Sequence, residues 1–325
     1  MRVAVVHNEI ADGERDPATL DVLAQAEYVG KALSAAGHEW RRFSFGADPT
    51  KVVQELDAFH TERIFNLVES VGGNSAAHPW AAGFWEILGI RYTGSPASAL
   101  ATTTDKVLTK LVLRGGGIST PPWAMCDEAE EAWRSVPGPW IVKPICEDGS
   151  IGIDESSVAR DPESLCRKAR ALAERLGGNR ALVEHYVEGR EFNVSILASP
   201  AGVRVLPPEE IVFADYPPGK ERVVGYRAKW KARSFEYRHT VQRFDFPTED
   251  AELLDRLRET ARCCWRLFAL RGYARVDARV DEQGLPWVLE VNANPCLSPD
   301  AGFAAAVAKA SMSPAEMADC ILGDA

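Results

Sequence analysis

Apolar positions near the start of the chain recur at two alternating periods. Residues 2–7 form a short apolar run, and residues 20–36 carry apolar side chains at helical spacing up to Gly37. Residues 39–45 alternate, 52–59 return to helical spacing, and 63–68 form a third apolar run. Strand–helix alternation of this kind predicts a parallel sheet. Ligands of such sheets gather beyond the carboxyl ends of the strands, which nominates the loops after His7 and Val68. The second loop, residues 69–75, is rich in glycine and polar residues and by itself reads as a connection.

Beyond the turn cluster at residues 92–96, Asp105 stands at the start of an expected helix with Lys106 and Lys110 together at i,i+4. A solvated lysine face and a phosphate contact are the two readings. Residues 139–144 form a buried-looking strand with Lys143 near its end, running directly into the glycine-containing loop 145–153. Loop amides flanked by glycines suit phosphate binding. Residues 161–176 spell an amphipathic helix that begins Asp-Pro and stops at Gly177-Gly178. Strands at 181–187 and 191–197 meet at a corner bracketed by Glu184 and Glu191, which suit a ribose diol or an adenine amine, or an exposed edge. Residues 213–240 lack periodicity and hold seven basic residues against three acidic ones, as expected of a functional loop for an anionic ligand. A helix at 249–270 and two short helices from Ala301 complete the elements.

Between those helices, residues 273–295 read as a β-hairpin closed by the turn 281–284. Either a two- or a four-residue loop places Val280 level with Leu285 or Asp281 level with Gly284. One face then carries apolar residues such as Val276, Ala278, Trp287, Leu289 and Val291. The other carries Arg275, Asp277, Arg279, Val288, Glu290 and Asn292, with Arg275 opposite Glu290. That polar face is either solvated or a set of hard oxygen ligands of the kind Mg²⁺ takes, beside a guanidinium fork.

Composition narrows the class. The 325 residues are 46% hydrophobic and 26% charged, ample for two or three globular domains. A net charge of -10 argues against a general binder of nucleic acid or anionic membranes. Seven scattered cysteines without metal spacing are expected to be reduced thiols in a cytoplasmic protein, and the polar N-terminus is read as neither a signal peptide nor a membrane span.

Five blocks in fixed order carry a resemblance: GIRYTGSPASALATTTDKVLTK, WIVKPICEDGSIGI, VEHYVEGREFNVSIL, GYRAKW and RGYARVDARV…VLEVNANP. Together they resemble the ATP-grasp fold and, within it, the D-alanine–D-alanine ligase-like enzymes. The resemblance implies an α/β (α+β) chain of three domains. These are a parallel N-terminal domain at 1–95, a central one at 96–187 and a catalytic one at 188–325, the last two clamping ATP. It implies phosphate contacts from Lys106, Lys143 and Lys229, with Glu184, Tyr186 and Val187 around adenine and Glu191 on the ribose. It further implies two Mg²⁺ (Mn²⁺ as a substitute) on Asp277, Glu290 and Asn292, and oxyanion stabilisation by Arg275. Small-molecule acid and amine partners, a homodimer, and an acyl-phosphate route to an amide follow by the same resemblance.

The substrate positions depart from the family pattern. Gly149 stands where the family has a loop serine, and Ser150 is shifted by one. Trp230 replaces the usual tyrosine, Glu69-Ser70 a His-Gly pair, and Cys296 a glycine. The N-terminal glutamate for an amino group has no clear counterpart, with Glu9 and Asp21 as candidates. Glu69, Gly149, Trp230 and Asn294 are therefore the expected substrate contacts, and Ser150 joins Arg275 and Lys229 as a catalytic candidate. The expectation is a carboxylate–amine ligase for an amino acid or related small acid. D-alanine ligation and an intramolecular cyclising ligase are the alternatives.

Overall fold

The computed structural model describes residues 1–177, 181–199 and 201–324, so Gly178 of the expected helix stop lies outside the described residues. Three strands, β1 (Arg2–Asn8), β2 (Glu39–Phe45) and β3 (Arg63–Leu67), form a parallel sheet in the order β2-β1-β3, as the alternating periods required. The helix Pro17–Ala35 between β1 and β2 starts on the Asp16 side chain, which accepts from the Ala18 amide, with proline in the first helical position. Gly37 follows it with φ +82°, the left-handed conformation that ends helices.

A second sheet holds β4 (Trp123–Met125), β5 (Trp140–Pro144), β6 (Val158–Ala159) and β7 (Ala181–His185), antiparallel, in the order β4-β7-β5-β6. The third holds β8 (Arg190–Ser199), β9 (Gly202–Val205), β10 (Glu209–Phe213), β11 (Thr240–Arg243), β12 (Tyr273–Val280) and β13 (Pro286–Asn292). Its order is β11-β10-β8-β12-β13, with β9 beside β8. The corner between β7 and β8 turns at Gly189, whose φ is +147° and where a Cβ would lie 2.0 Å from the Val280 carbonyl oxygen. Only glycine lets this corner reach the end of β12.

The large sheet has one dry side and one polar side. Phe192, Val194 and Ile196 of β8 and Ala274, Val276 and Ala278 of β12 pack with Leu253, Leu257 and Ala261 of the helix Ala251–Leu267. Each such leucine contributes roughly 1.5–3 kcal/mol on burial. With its apolar side covered, the sheet offers its polar side to the molecule's large cavity.

Three expectations are corrected here. The hairpin closes through five residues, Val280 pairing with Pro286, so neither shorter closure forms. A bulge between Asp277 and Ala278 then shifts the ladder by one more residue. The two shifts restore the expected facing at the base of the hairpin and change its partners: Asp277 lies opposite Glu290 and Arg275 opposite Asn292. Nearer the turn the faces exchange. Val288 is fully buried on the apolar side, Trp287 lies opposite Arg279, and Leu289 lines the cavity. Residues 213–240 are not uniformly irregular either, because they contain the short helices Tyr226–Trp230 and Phe235–His239. Finally, the Lys106–Lys110 face is not solvated: the two side chains are 5% and 0% exposed.

Candidate active site

The polar side of the large sheet is laid out in rows, since residues paired across strands share a face. Glu209, Asn193, Asp277 and Glu290 form one row across β10, β8, β12 and β13. The next row holds Ile211, Glu191, Arg279 and Trp287, while Ser195, Arg275 and Asn292 form the row on the other side. Above them is an open cavity of about 1070 Å³. Every expected site residue except Lys106 and the candidate Glu9 contributes to its wall.

Arg275 closes on Asp277 through two parallel bonds, Nε to Oδ1 at 2.6 Å and Nη2 to Oδ2 at 2.7 Å. This bidentate geometry is the strong form of the guanidinium–carboxylate pair. Its neighbour Asn292 uses Oδ1 to accept from the Asn294 amide at 3.0 Å. Asn294 itself accepts from the Tyr273 hydroxyl and donates to the Val68 carbonyl, tying the hairpin to the N-terminal sheet.

At the corner of β7 and β8 the two glutamates are buried rather than exposed. Glu184 is 1% exposed, with one oxygen against Lys110 and the other 2.6 Å from Lys143. Burial alone would raise its pKa, but Lys110 and Lys143 bring it down to about 2. Lys110 also donates to Thr120, which donates to the Val288 carbonyl. Arg279 holds Glu191 through two bonds of 3.0 and 2.9 Å and reaches the Val187 carbonyl. Lys106 bonds the Ile145 and Glu147 carbonyls beneath the glycine loop, with Asp105 capping its helix. That places it beneath the loop that borders the cavity and not in the cavity wall itself. Lys110, read from the sequence as solvated or a phosphate contact, instead pairs with Glu184, and Arg279 had been assigned no role. The alternation Arg275, Asp277, Arg279 did put Arg279 on the polar face, and that signal could have found it.

The glycine loop and the basic segment clasp one another over the cavity. Trp230 donates its indole N–H to the Gly149 carbonyl at 2.9 Å, and Ser150 donates to the Val224 carbonyl at 2.6 Å. The Tyr226 amide donates to the Ile153 carbonyl, and its hydroxyl reaches Asp16 of the N-terminal part. Two cations of the segment are already paired: Lys220 with Glu155 and Glu236, and Arg227 with Glu236. Among the described residues Lys229 forms no ion pair, and it lines the cavity.

The N-terminal wall is acidic. Gln25 donates to Glu69 at 2.8 Å and to Asp21 at 3.3 Å, and Asp21 accepts from Cys296 and Ser298. Burial, offset in part by the Gln25 bond and reinforced by Asp21, pushes the Glu69 pKa up to about 7. Burial and Asp21 likewise raise the Cys296 thiol. Of the two amino-group candidates, Asp21 lines this wall and Glu9 does not. A carboxyl whose folded pKa exceeds its unfolded value binds its proton more tightly in the native state, so stability falls as pH rises between about 4.5 and 7. The Glu69→Gln variant keeps an acceptor for Gln25 and is expected to gain about 1–3 kcal/mol at pH 8 and little at pH 4. Urea unfolding at the two pH values checks this, and equal gains at both would remove the argument.

Acid also exceeds base on the cavity floor. Glu209 is 1% exposed and forms no ion pair among the described residues; burial, offset in part by Arg275 and the neighbouring Asn193, raises its pKa to about 7. Asp148 is raised to about 7 by burial and by Glu290. Among the described residues no three carboxylates, imidazoles or thiols converge as a ready-made cage. The hairpin trio is two acids and an amide, all hard oxygen donors. Divalent magnesium would relieve the buried negative charge there, so the residues fit that ion. Glu209, Asn193 and Asp148 had gone unremarked in the sequence because their strand pairing and the loop closure are long-range properties.

No helix among the described residues is long and apolar enough to cross a membrane. Residues 114–323 match the family model for the D-ala D-ala ligase C-terminus. The D-alanine–D-alanine ligase of Bordetella avium is 31% identical over 301 residues, covering 91% of this chain and 87% of that protein. The D-alanine–D-alanine ligase of Aquifex aeolicus is 30% identical over 84% of each chain. The solved D-alanine–D-alanine ligase of Bacillus anthracis in complex with ATP superposes with a TM-score of 0.74 at 20% identity, over 100% of this chain and 97% of that one. The D-alanyl-alanine synthetase A of Vibrio cholerae gives a TM-score of 0.77 at 16% identity over 99% and 98%. The chain belongs to the D-alanine–D-alanine ligase family of ATP-grasp proteins and is an ATP-dependent carboxylate–amine ligase.

Proposed function

We propose that the acid substrate is an amino acid or a close analogue, activated as an acyl phosphate and joined to an amine. The observation that carries this is the acidic wall of Asp21 and Glu69, which faces the same cavity as Lys143, Lys229 and the hairpin acids. Two carboxylates without a protein cation suit a substrate ammonium. A substrate carboxylate oxygen attacks the terminal phosphorus of ATP, and the bond from that phosphorus to the bridging oxygen of ADP breaks. The amine nitrogen then attacks the acyl carbon, gives up a proton, and phosphate leaves. Products are an amide, ADP and phosphate.

In this reading Glu184, Tyr186 and Val187 take the adenine, Glu191 takes the ribose, and Lys143 and Lys229 take phosphate oxygens. Arg275 faces the oxyanion that forms at the acyl carbon. Gly149, Ser150 and Trp230, joined across the two loops, keep water from the acyl phosphate. Asp277, Glu290 and Asn292 would hold Mg²⁺, or Mn²⁺ in its place, which neutralises charge developing on the phosphates. We assign the three parts 1–95, 96–187 and 188–325 as the domains that clamp ATP. Phosphate release measured with a panel of D- and L-amino acids tests the substrate class. Turnover with D-alanine alone would make the chain a D-alanine–D-alanine ligase, and turnover of one substrate without an added amine would make it a cyclising ligase. No release with any amino acid would overturn the reading.

A homodimer is part of the same proposal. Trp80 and Ile87 on the helix Pro79–Leu88 are 74% and 84% exposed, and with Leu88 they make an apolar stripe. Sedimentation is expected to show a dimer that Trp80→Asp converts to monomer. A monomeric wild type at micromolar concentration would remove this part alone.

A further inference from the structure

The Arg275–Asp277 pair and the buried Glu209 pose one problem from two ends. Arg275 takes one lone pair on each oxygen of Asp277 and sets a positive charge against it, so a cation approaching Asp277 meets a guanidinium on the same carboxylate. Releasing the pair would strand a guanidinium whose side chain is only 11% exposed. A buried charge without a partner is strongly destabilising, so release needs another acceptor. Glu209 is a buried carboxylate with no ion pair among the described residues, in the same row as Asp277 and separated from it only by Asn193. Arg275 lies in the adjoining row, two strand spacings or about 10 Å from Glu209 between backbones, and the two side chains already act on each other electrostatically.

Space for the glutamate is built in. A Cβ at Gly302 would lie 2.3 Å from Glu209 Oε2, and Gly302 has no positive φ that would itself call for glycine. The missing side chain there makes room for a carboxylate. Most other cations of the cavity are committed elsewhere: Lys106 to backbone carbonyls, Lys110 and Lys143 to Glu184, and Arg279 to Glu191. Lys229 also acts on Glu209, but more weakly than Arg275, and in the proposed reading it takes phosphate oxygens.

We propose that Glu209 is the second resting place of the Arg275 guanidinium, taken up when a divalent cation claims Asp277. Glu209 is then a positioning residue: it holds Arg275 turned toward the acyl centre in the loaded state and makes cation binding and arginine placement a single event. This rests on the reading of Asp277 as a cation ligand. Arg275 guards Asp277 and leaves the Glu209 carboxyl without an ion pair; cation binding at Asp277 moves the guanidinium across to it.

Calorimetry of ADP binding to the full chain across a Mg²⁺ series tests it. Wild type is expected to bind ADP more tightly as Mg²⁺ rises, and a flat response would remove the Asp277 reading itself. With that response in hand, Glu209→Gln is expected to raise the Mg²⁺ midpoint about tenfold, an ordinary coupling between sites, while ADP binding in EDTA stays unchanged. In an Arg275→Met background the same substitution is expected to have no effect on the midpoint. An unchanged midpoint in the single variant would overturn the proposal. So would a shift that persists without Arg275, which would make Glu209 a cation ligand in its own right. The unmodified protein gives a second readout by NMR: the Arg275 Nε–H signal is expected to move on addition of Mg²⁺ and ADP and to stay protected from exchange. Loss of protection would count against transfer to a buried partner, whatever the folding of the variants.

Discussion

Asp277→Asn is expected to lower ATP-dependent amide formation by about 10²–10³-fold, the scale of removing one preorganised charge from a reacting centre. The substitution keeps the shape of the side chain and one acceptor oxygen. What it removes is the negative charge opposite Glu290, and with it half of the buried acid that suits a divalent cation. It also releases Arg275 from its bidentate partner. Phosphate release under saturating ATP reads the loss. Two controls separate chemistry from folding: a melting temperature within a few degrees of wild type, and unchanged nucleotide affinity in EDTA. Turnover at the wild-type rate would show that the hairpin acids are not part of the reacting centre.

Glu184→Ala is expected to cost about 3–5 kcal/mol of stability, the range for removing one partner from a buried ion pair. Its two lysines cannot both turn to water. Lys110 is 0% exposed and its remaining partner is the Thr120 hydroxyl. Lys143 is 13% exposed at the side chain and faces the cavity, so it recovers part of its solvation. Most of the loss therefore falls on Lys110, and adding Lys110→Met to the alanine variant is expected to restore much of the stability. Urea unfolding of the two variants measures both effects. A double variant no more stable than the single one would place the cost elsewhere in the corner of β7 and β8.

The alternating periods at the start of the chain were enough to read the parallel sheet, because parallel strands with intervening helices are set by local pattern. The polar side of the hairpin was also legible near its base, since pleating fixes which residues share a side. Pairing was not. Turn length and the bulge decide register, and neither leaves a mark in a pattern of period two. Lys110 and Glu184 show the same limit. Each looks solvated within its own segment, and only the approach of the helix Lys106–Gly115 to β7 buries them together. Strands β9, β10 and β11 were passed over because they are short and lie within or beside a stretch dominated by charge and proline. Glu209 was lost with them.

The irregularity in β13 sets what kind of molecule the sheet can lie against. An even pleat keeps neighbours on one side nearly 7 Å apart, about two residue rises, and turns every second side chain away. In β13 Leu289 and Glu290 are consecutive, yet both border the same hollow. Grease and charge therefore touch on a single strand. That juxtaposition matches a guest with a flat organic plate next to a highly charged tail, and a strand without the inserted residue would have to borrow one of the two from elsewhere.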